Sequence, residues 1–304
     1  MKRPGILLLV AAPAVALAVL LAVNPRDSEP STETKKHTSV SHESRKDAKA
    51  RAEQSGEETE DDDVVAGAPP GLSAPAKKEL AQRLVASAVH STLDWRGTYG
   101  SIEDFDDGQG YTAGIIGFCT GTQDLLTLVE RYTEDHPDNG LAPYLPALRE
   151  VNGTDSHEGL DPGFTAAWKA ESELPAFRKA QEAERDRSYF RPAVRLAKLD
   201  GLSTLGQFVY YDAMVFHGPG VDRDSFYGLR ERVLKQAATP AMGGSEKAYL
   251  DIFLKVHRET MRNKRPDVGT DRIDSAQRQF LNAGNMDLRT PLVWTMYGKT
   301  YRVE

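Results

Sequence analysis

The sequence predicts an α+β protein that is mostly α-helical and carries one small β element. Several segments space their apolar residues at helical intervals, whereas the segment near residues 100–116 is rich in Asp and Gly and indicates turns and short strands. All Trp, Tyr and Phe residues lie at or after Trp95, so the hydrophobic core must form in the last two thirds of the 304-residue chain.

The N-terminus has the pattern of a targeting segment. Lys2 and Arg3 precede an uncharged stretch of 19 residues, 5–23, whose length falls between that of a signal peptide and that of a spanning helix. Residues 1–23 are therefore predicted to be a signal peptide or a membrane anchor. The rest of the chain is expected to be extracellular, either secreted or tethered to the outer face of the cytoplasmic membrane. Contact with a membrane is expected only through residues 5–23, if they are not cleaved.

Residues 24–70 are predicted to be a disordered acidic linker. Between residues 24 and 63 there are 12 acidic and 7 basic residues and no aromatic one, so little apolar surface is available to offset the chain entropy lost on folding. Pro and Gly between residues 67 and 75 end this linker. The folded domain is then 71–304, which is long enough for one domain of two lobes.

The first predicted helix of this domain covers residues 77–91, where Leu80, Leu84 and Val85 form one apolar stripe. The Asp- and Gly-rich segment 104–112 is expected to be a turn or a short hairpin. Apolar periodicity predicts further helices at 117–132, 162–169, 174–190, 192–216, 225–237, 246–263 and 274–283.

Composition excludes several classes of function. The chain has 38 Lys+Arg and 45 Asp+Glu, a formal charge of −7, which is unsuited to a protein that binds nucleic acid through bulk positive charge. A single cysteine, Cys119, excludes an internal disulfide framework and a cysteine-based zinc site. No metalloprotease, phosphate-loop or dinucleotide motif is present, so neither a metal nor a cofactor is expected. The protein is expected to be a monomer.

The segment after the first helix carries the candidate chemistry. Four carboxylates share one Gly-rich loop: Glu103, Asp104, Asp106 and Asp107. Asp and Gly are ordinary turn formers as well as catalytic groups, so the pattern alone leaves both interpretations open. Thr112 could hold a water against Asp107. By contrast, Cys119 is more typical of a buried thiol, and His217 of a helix cap than of a metal ligand.

Seven segments together resemble a known family. The longest is STLDWRGTYGSIEDFDDGQGYTAGIIGFCTGTQDLL, and it is followed in order by YLPALREVNG, ERDRSYFRPA, LGQFVYYDAMVFHGPG, TPAMGGSEKAYL, DRIDSAQRQFLNAGNMDL and LVWTMYGKTY. They resemble the chitosanases of glycoside hydrolase family 46 from about Leu80 to Tyr301. The resemblance implies a two-lobed, lysozyme-like fold with a substrate cleft. It also implies endo-hydrolysis of β-1,4 linkages between the glucosamine units of chitosan, with inversion of configuration.

Inverting hydrolysis uses one carboxyl group as acid and another as base. The resemblance implies that Asp107 is the general base and that Thr112 positions the attacking water. The family's acid is a glutamate in the first helix, and Val89 stands at that position here, with His90 beside it. A valine cannot donate a proton.

Other positions depart from the family or match it. A cleft arginine is replaced by Gln109, an arginine of the catalytic network by His257, and an acidic subsite residue by Lys264. The resemblance implies substrate-binding roles for Ser91, Gln109, Asp124, Tyr189 and Gly218. Asp212 and Arg272 resemble a buried ion pair behind the cleft, which could serve catalysis or only hold the lobes together.

Three hypotheses remain open at this point. The chain could be a chitosanase of weak activity in which Glu103 or His90 supplies the proton, or a glycosidase whose substrate has a better leaving group and needs less help from an acid. It could be a carbohydrate-binding pseudoenzyme that keeps the cleft without turnover. It could also act on another amino-sugar polymer or on a cell-wall glycan. In each case the partner is chitosan or a related polymer.

Overall fold

The structure, a computed structural model, describes residues 60–304 and is mostly helical with two small antiparallel sheets. The helices are α1 (60–67), α2 (Pro75–Val89), α3 (Asp124–Asp135), α4 (Leu145–Val151), α5 (Phe164–Ser172), α6 (Pro175–Arg185), α7 (Arg191–Leu199), α8 (Thr204–His217), α9 (Phe226–Leu234), α10 (Glu246–Lys264) and α11 (Arg278–Asn282). The strands are β1 (Ile102–Asp104), β2 (Tyr111–Ala113), β3 (Phe118–Cys119), β4 (Leu292–Met296) and β5 (Lys299–Val303). The predicted fold class is confirmed.

Helix α8 lies at the centre of the core. Of its 14 residues, only Val215 is not buried. Its N-terminus is capped by Ser203, whose side chain accepts from the N–H of Gly206. A helix that is buried all round has no solvent face, which explains why its sequence is apolar along its whole length.

The first sheet has the order β1-β2-β3, with Glu103 opposite Thr112 and Thr112 opposite Cys119. Residues 105–110 connect β1 to β2, so the predicted turn at 104–112 is the tip of a hairpin. This hairpin places Asp107 at its tip and Thr112 on its second strand.

Two predicted helices are wrong in extent. The helix expected at 117–132 begins only at Asp124, because Phe118 and Cys119 pair with β2 as strand β3. The helix expected at 192–216 is two helices, α7 and α8. Gly201 has a φ of +74° between them, and a helix cannot continue through that conformation.

The predictions also miss a C-terminal hairpin formed by β4 and β5. Trp294 and Tyr301 are opposite each other across it and stack with ring centroids 5.7 Å apart. The indole of Trp294 donates to the hydroxyl of Ser87 at 3.0 Å. The end of the chain therefore packs on α2, the helix that carries Val89.

The N-terminal boundary differs from the prediction. Residues 60–67, which the sequence assigns to the linker 24–70, are helical, and Arg195 lies 3.5 Å from Asp61 and 3.0 Å from Asp62. The prediction of a disordered linker is therefore wrong for residues 60–67. It stays a prediction for residues 24–59, which lie outside the described residues. Residues 1–23 also lie outside them. Within residues 60–304, no helix has both the length and the apolar composition needed to cross a bilayer.

Candidate active site

A cleft of about 590 Å³ is bounded by the end of α2, the loop 105–110, strand β2 and the segment that follows α10. Asp107, Thr112 and Val89 all line it. A narrower extension of about 200 Å³ continues toward Asp124 and Gly218. The two parts share part of their lining: Gln109, Gly117, Cys119, Val215, Phe216, Lys264 and Arg265. The catalytic positions expected from the sequence are thus brought together.

Both carboxylate oxygens of Asp107 have partners, and its side chain is only 16% exposed. Oδ1 accepts from the backbone N–H of Gln109 at 3.2 Å. Oδ2 accepts from Nη1 of Arg265 at 3.2 Å. This carboxylate is therefore fixed in orientation by two donors from different parts of the chain.

Thr112 and Val89 lie on either side of Gly117. A Cβ atom placed on Gly117 would be 3.0 Å from Cγ2 of Thr112 and 3.3 Å from Cγ1 of Val89. The hydroxyl of Thr112 is 3.3 Å from Sγ of Cys119. Cys119 is buried, as expected, and burial raises the pKa of its thiol to about 12, so it serves packing rather than nucleophilic chemistry.

The surroundings of Val89 are apolar. Ala88 and Ile116 line the cleft beside it, and Val89 itself packs against the hydrophobic core. Three carboxylates line this part of the cleft: Asp106, Asp107 and Asp267. All three lie outside α2, so the helix contributes no proton donor of its own to the cleft.

Asp124 and Tyr189 line the extension and bind each other. The phenol of Tyr189 donates to Oδ2 of Asp124 at 2.7 Å, and Oδ1 accepts from the N–H groups of Cys119 and Leu125 at 3.0 and 2.9 Å. Burial raises the pKa of Asp124, and these hydrogen bonds oppose the shift. Asp124 thus holds β3 and the first turn of α3 in place.

Behind the cleft, Asp212 is almost fully buried and pairs with Arg272. Nη1 of Arg272 is 3.3 Å from Oδ1, and Gln277 donates to Oδ2 at 2.6 Å. Burial raises the pKa of Asp212, while Arg272 and Gln277 lower it. Arg272 also lines the cleft, and its guanidinium lies over the ring of Phe216.

Comparison with known proteins identifies the family. The model of glycosyl hydrolase family 46 matches residues 83–292. The chain belongs to this family. It is 53% identical over 238 residues to a chitosanase of Streptomyces sp. (strain N174), with 78% of this chain and 85% of that protein covered. It is 52% identical over 233 residues to a chitosanase of Nocardioides sp. (strain N106), covering 77% and 84%.

Solved structures agree with this assignment. The co-crystal structure of chitosanase OU01 with substrate has a TM-score of 0.76 and 49% sequence identity, and the match covers 78% of this chain and all 100% of that one. The expected two-lobed, lysozyme-like family fold is therefore confirmed.

The two alternative proton donors are both outside the cleft of this family 46 chain. His90 uses Nε2 to donate to the carbonyl of Gly114 at 3.0 Å, and burial lowers its pKa. Glu103 is exposed on the edge strand β1 and is not part of the lining of either part of the cleft. Neither side chain is among the residues that line the cleft or its extension.

Of the other residues expected to bind substrate, some line the cleft and one does not. Gln109 and Gly218 line the cleft or its extension. Ser91 is exposed outside both and uses its carbonyl to accept from Nζ of Lys299 at 3.0 Å. The structure therefore does not support a binding role for Ser91.

The two histidines of the site form a buried neutral pair. The rings of His217 and His257 lie 4.8 Å apart, and neither ring has a hydrogen-bond partner. Burial lowers the pKa of His217 to about 3 and lowers that of His257 well below its usual value. The cap of α8 is formed by the N–H of Gly218, which donates to the carbonyl of Met214, rather than by the ring of His217 as the sequence suggests.

Sequence reasoning misses one functional residue, Arg265. Its guanidinium donates to Asp107 and also to Oε1 of Gln109 at 2.6 Å, and it lies 4.7 Å from the ring centre of Phe216. In the sequence it ends a basic run, Arg262-Asn263-Lys264-Arg265, of the kind that commonly neutralises a helix C-terminus. A local pattern gives no sign of its contact with Asp107.

Proposed function

We propose that this chain is an exported, chitosanase-related protein that binds chitosan or a related amino-sugar polymer in the cleft. It cleaves β-1,4 linkages there slowly and with inversion. The observation that carries the proposal is that Asp107 and Thr112 line one cleft in a family 46 fold. The names of the relatives support the substrate, since proteins about half identical to this chain are chitosanases.

In this proposal Asp107 is the general base. Its carboxylate takes a proton from a water that the hydroxyl of Thr112 holds, and that water attacks the anomeric carbon from the face opposite the leaving oxygen. A β-linked sugar then leaves a product with the α configuration at its new reducing end. Asp124, Tyr189 and Gly218 bind further sugar units along the extension.

The slow rate follows from Val89. General acid catalysis contributes about 10²- to 10⁴-fold, and that contribution is missing where a valine replaces the carboxyl group. The hydrogen bond between Arg265 and Oδ2 of Asp107 also opposes hydrolysis, because that oxygen must leave the guanidinium before it can accept from the attacking water.

A second candidate function is binding without turnover. It is favoured by the same pair of observations, the apolar surroundings of Val89 and the engagement of both oxygens of Asp107. In that case the protein holds an amino-sugar polymer, or another cell-wall glycan, at the cell surface or outside it.

The measurement that separates these functions is the release of reducing ends from chitosan by the purified full chain. Asp107→Asn is expected to abolish hydrolysis and to leave binding in place. Asp138→Asn removes an exposed carboxylate that does not line the cleft, and this matched control is expected to hydrolyse like the parent. Glu103→Gln, at the position opposite Thr112 in the sheet, tests the alternative donor, and a loss of activity there would favour Glu103 as the source of the proton.

The remaining outcomes are also informative. Nuclear magnetic resonance spectra of early products are expected to show the α anomer. Binding without any hydrolysis favours the second candidate, and failure to bind chitosan contradicts both. For export, the domain is expected in the culture medium or on the cell surface, and retention in the cytoplasm would contradict the role given to residues 5–23.

A further inference from the structure

The charges that line the cleft are balanced rather than acidic. Three carboxylates face three cations in the main cleft: Asp106, Asp107, Asp267, Lys264, Arg265 and Arg272. In the extension, Asp124 and Glu184 are matched by the same Lys264 and Arg265. A polymer of protonated amines gains most from a groove with an excess of negative charge, and this groove has none by formal count.

Arg265 occupies the acceptor atoms that an ammonium group would use. Its two Nη atoms bind Oδ2 of Asp107 and Oε1 of Gln109, and its guanidinium rests on Phe216. A glucosamine ammonium entering beside Asp107 would have to displace this cation or lie against it. Like charges at such distances disfavour each other.

The electrostatics of the two adjacent cations support this view. Burial lowers the pKa of Lys264, and Arg265 lowers it further; burial also lowers the pKa of Arg265, whereas the carboxylate of Asp107 opposes that shift. Lys264 and Arg265 therefore already repel each other at this end of the cleft. A further cation is unfavourable here, whereas a neutral group is not.

The same cleft also offers an apolar surface that suits a neutral group with a methyl. Ala88, Val89 and Ile116 present apolar atoms to the cleft near Thr112. The acetamide of N-acetylglucosamine carries no charge, and its methyl group gains from contact with an apolar surface. An ammonium group loses water there without finding a partner.

We propose that Arg265 is a specificity-determining residue that makes the position beside Asp107 a site for N-acetylglucosamine rather than for glucosamine. The inference rests on the proposed function, because it concerns the same cleft. It narrows the substrate to amino-sugar polymers that carry N-acetyl groups at this position.

Calorimetric titration of the full chain with two hexamers tests the inference: hexa-N-acetylglucosamine and hexaglucosamine, at a pH where the free amines are protonated. The wild-type chain is expected to bind the acetylated hexamer at least about tenfold more tightly. Arg265→Met keeps an apolar stem over Phe216 but removes the charge, and it is expected to shift the ratio of the two dissociation constants about tenfold toward hexaglucosamine.

Two further variants isolate the cause. Arg262→Met removes a charge from the exposed last turn of α10, the helix that precedes Arg265. It is expected to keep the wild-type ratio of the two dissociation constants. Arg265→Lys keeps the charge and is expected to keep the preference for the acetylated hexamer. Thermal unfolding of each variant verifies that it is folded.

An unchanged ratio in folded Arg265→Met, or a wild-type preference for hexaglucosamine, would overturn the inference and leave the proposed function standing. A wild-type chain that binds neither hexamer would overturn both.

Discussion

The two walls of the cleft differ in what they contribute to chemistry. The sheet wall, made of the loop 105–110 and strand β2, carries Asp107 and Thr112. The helix wall, the C-terminal end of α2, presents Val89 at the position where the resemblance to the family implies an acid. In the proposed mechanism, one wall carries the groups that activate water, and the other has no group to protonate a leaving oxygen.

The packing of α2 rests mainly on residues that precede Val89 in the helix. Leu80, Leu84 and Val85 are buried in the core, and the indole of Trp294 holds Ser87. Val89 lies beyond these contacts, half-buried at the last turn of α2. The fold is held by positions other than the catalytic one, which is why a family fold by itself does not establish catalysis.

The largest effect is expected from restoring the acid. In Val89→Glu the rate of chitosan hydrolysis should rise about 10²- to 10⁴-fold over the parent, measured as reducing ends released. The apolar neighbours Ala88 and Ile116 should raise the pKa of the new carboxyl group, which favours the protonated form that an acid needs.

Val89→Gln is the control for this prediction, since it has the same length as the glutamate but cannot act as an acid. It should hydrolyse no faster than the parent. If folded Val89→Glu binds the polymer and is also no faster, the missing acid is not what limits the cleft, and the hold of Arg265 on Asp107 becomes the stronger explanation.

The next effect concerns the support behind both walls. Arg272→Met leaves the carboxylate of Asp212 buried with Gln277 as its remaining partner, and removal of one member of a buried ion pair costs about 3–5 kcal/mol of unfolding free energy. Urea denaturation measures this loss. Arg258→Met breaks an exposed pair with Asp274 instead and should cost less than about 1 kcal/mol. Equal costs would mean that Asp212 and Arg272 do not support the cleft.

The elements that the sequence predicts well are those specified by local signals. Helix α10 was expected at 246–263 and spans Glu246–Lys264, because its apolar spacing is regular and Ser245 caps its N-terminus by accepting from the N–H of Ala248. Helix α3 was predicted from residue 117 because nothing local reports that Cys119 pairs with Thr112 of β2. Long-range strand pairing overrides local pattern there.

The same limit applies to the site. Asp107, Thr112 and Val89 were found because they lie within contiguous segments that resemble the family. Arg265 was not, since 158 positions separate it from Asp107 and the contact exists only after folding. Similarly, only the fold shows that Glu103 and Ser91 lie outside the cleft.

A smaller effect concerns His217, a buried histidine that lines the extension of the cleft and should make stability depend on pH. Burial, with Lys264 next in importance, lowers the pKa of His217 to about 3 from an ordinary value near 6.5. Between these two pH values the unfolded chain binds a proton that the folded chain does not. The contribution of His217 to stability is therefore complete above about pH 6.5 and declines as the pH falls toward 3, by about 1.4 kcal/mol per pH unit.

His217→Gln removes this titration, so its free energy of unfolding should decline less steeply than that of the parent as the pH falls, as measured by urea denaturation at several pH values. His136→Gln, at an exposed histidine, should keep the parent's slope. A parallel decline in His217→Gln and the parent would show that this ring is not held neutral.

The smallest effect tests how closely the two walls approach each other. Gly117 has a φ of +77°, and a Cβ there would press between Thr112 and Val89 at 3.0 and 3.3 Å. Gly284 has a φ of +65° and no atom within 4 Å of the same position, so Gly284→Ala meets only the backbone cost of about 1 kcal/mol. Gly117→Ala should lose that amount of unfolding free energy and more, because its new methyl group would crowd Thr112 and Val89. In nuclear magnetic resonance spectra, the methyl resonances of Thr112 and Val89 should shift in Gly117→Ala. The same resonances should not shift in Gly284→Ala. Equal losses with unmoved resonances would contradict the contact between the walls, and with it the close placement of Val89 beside Thr112.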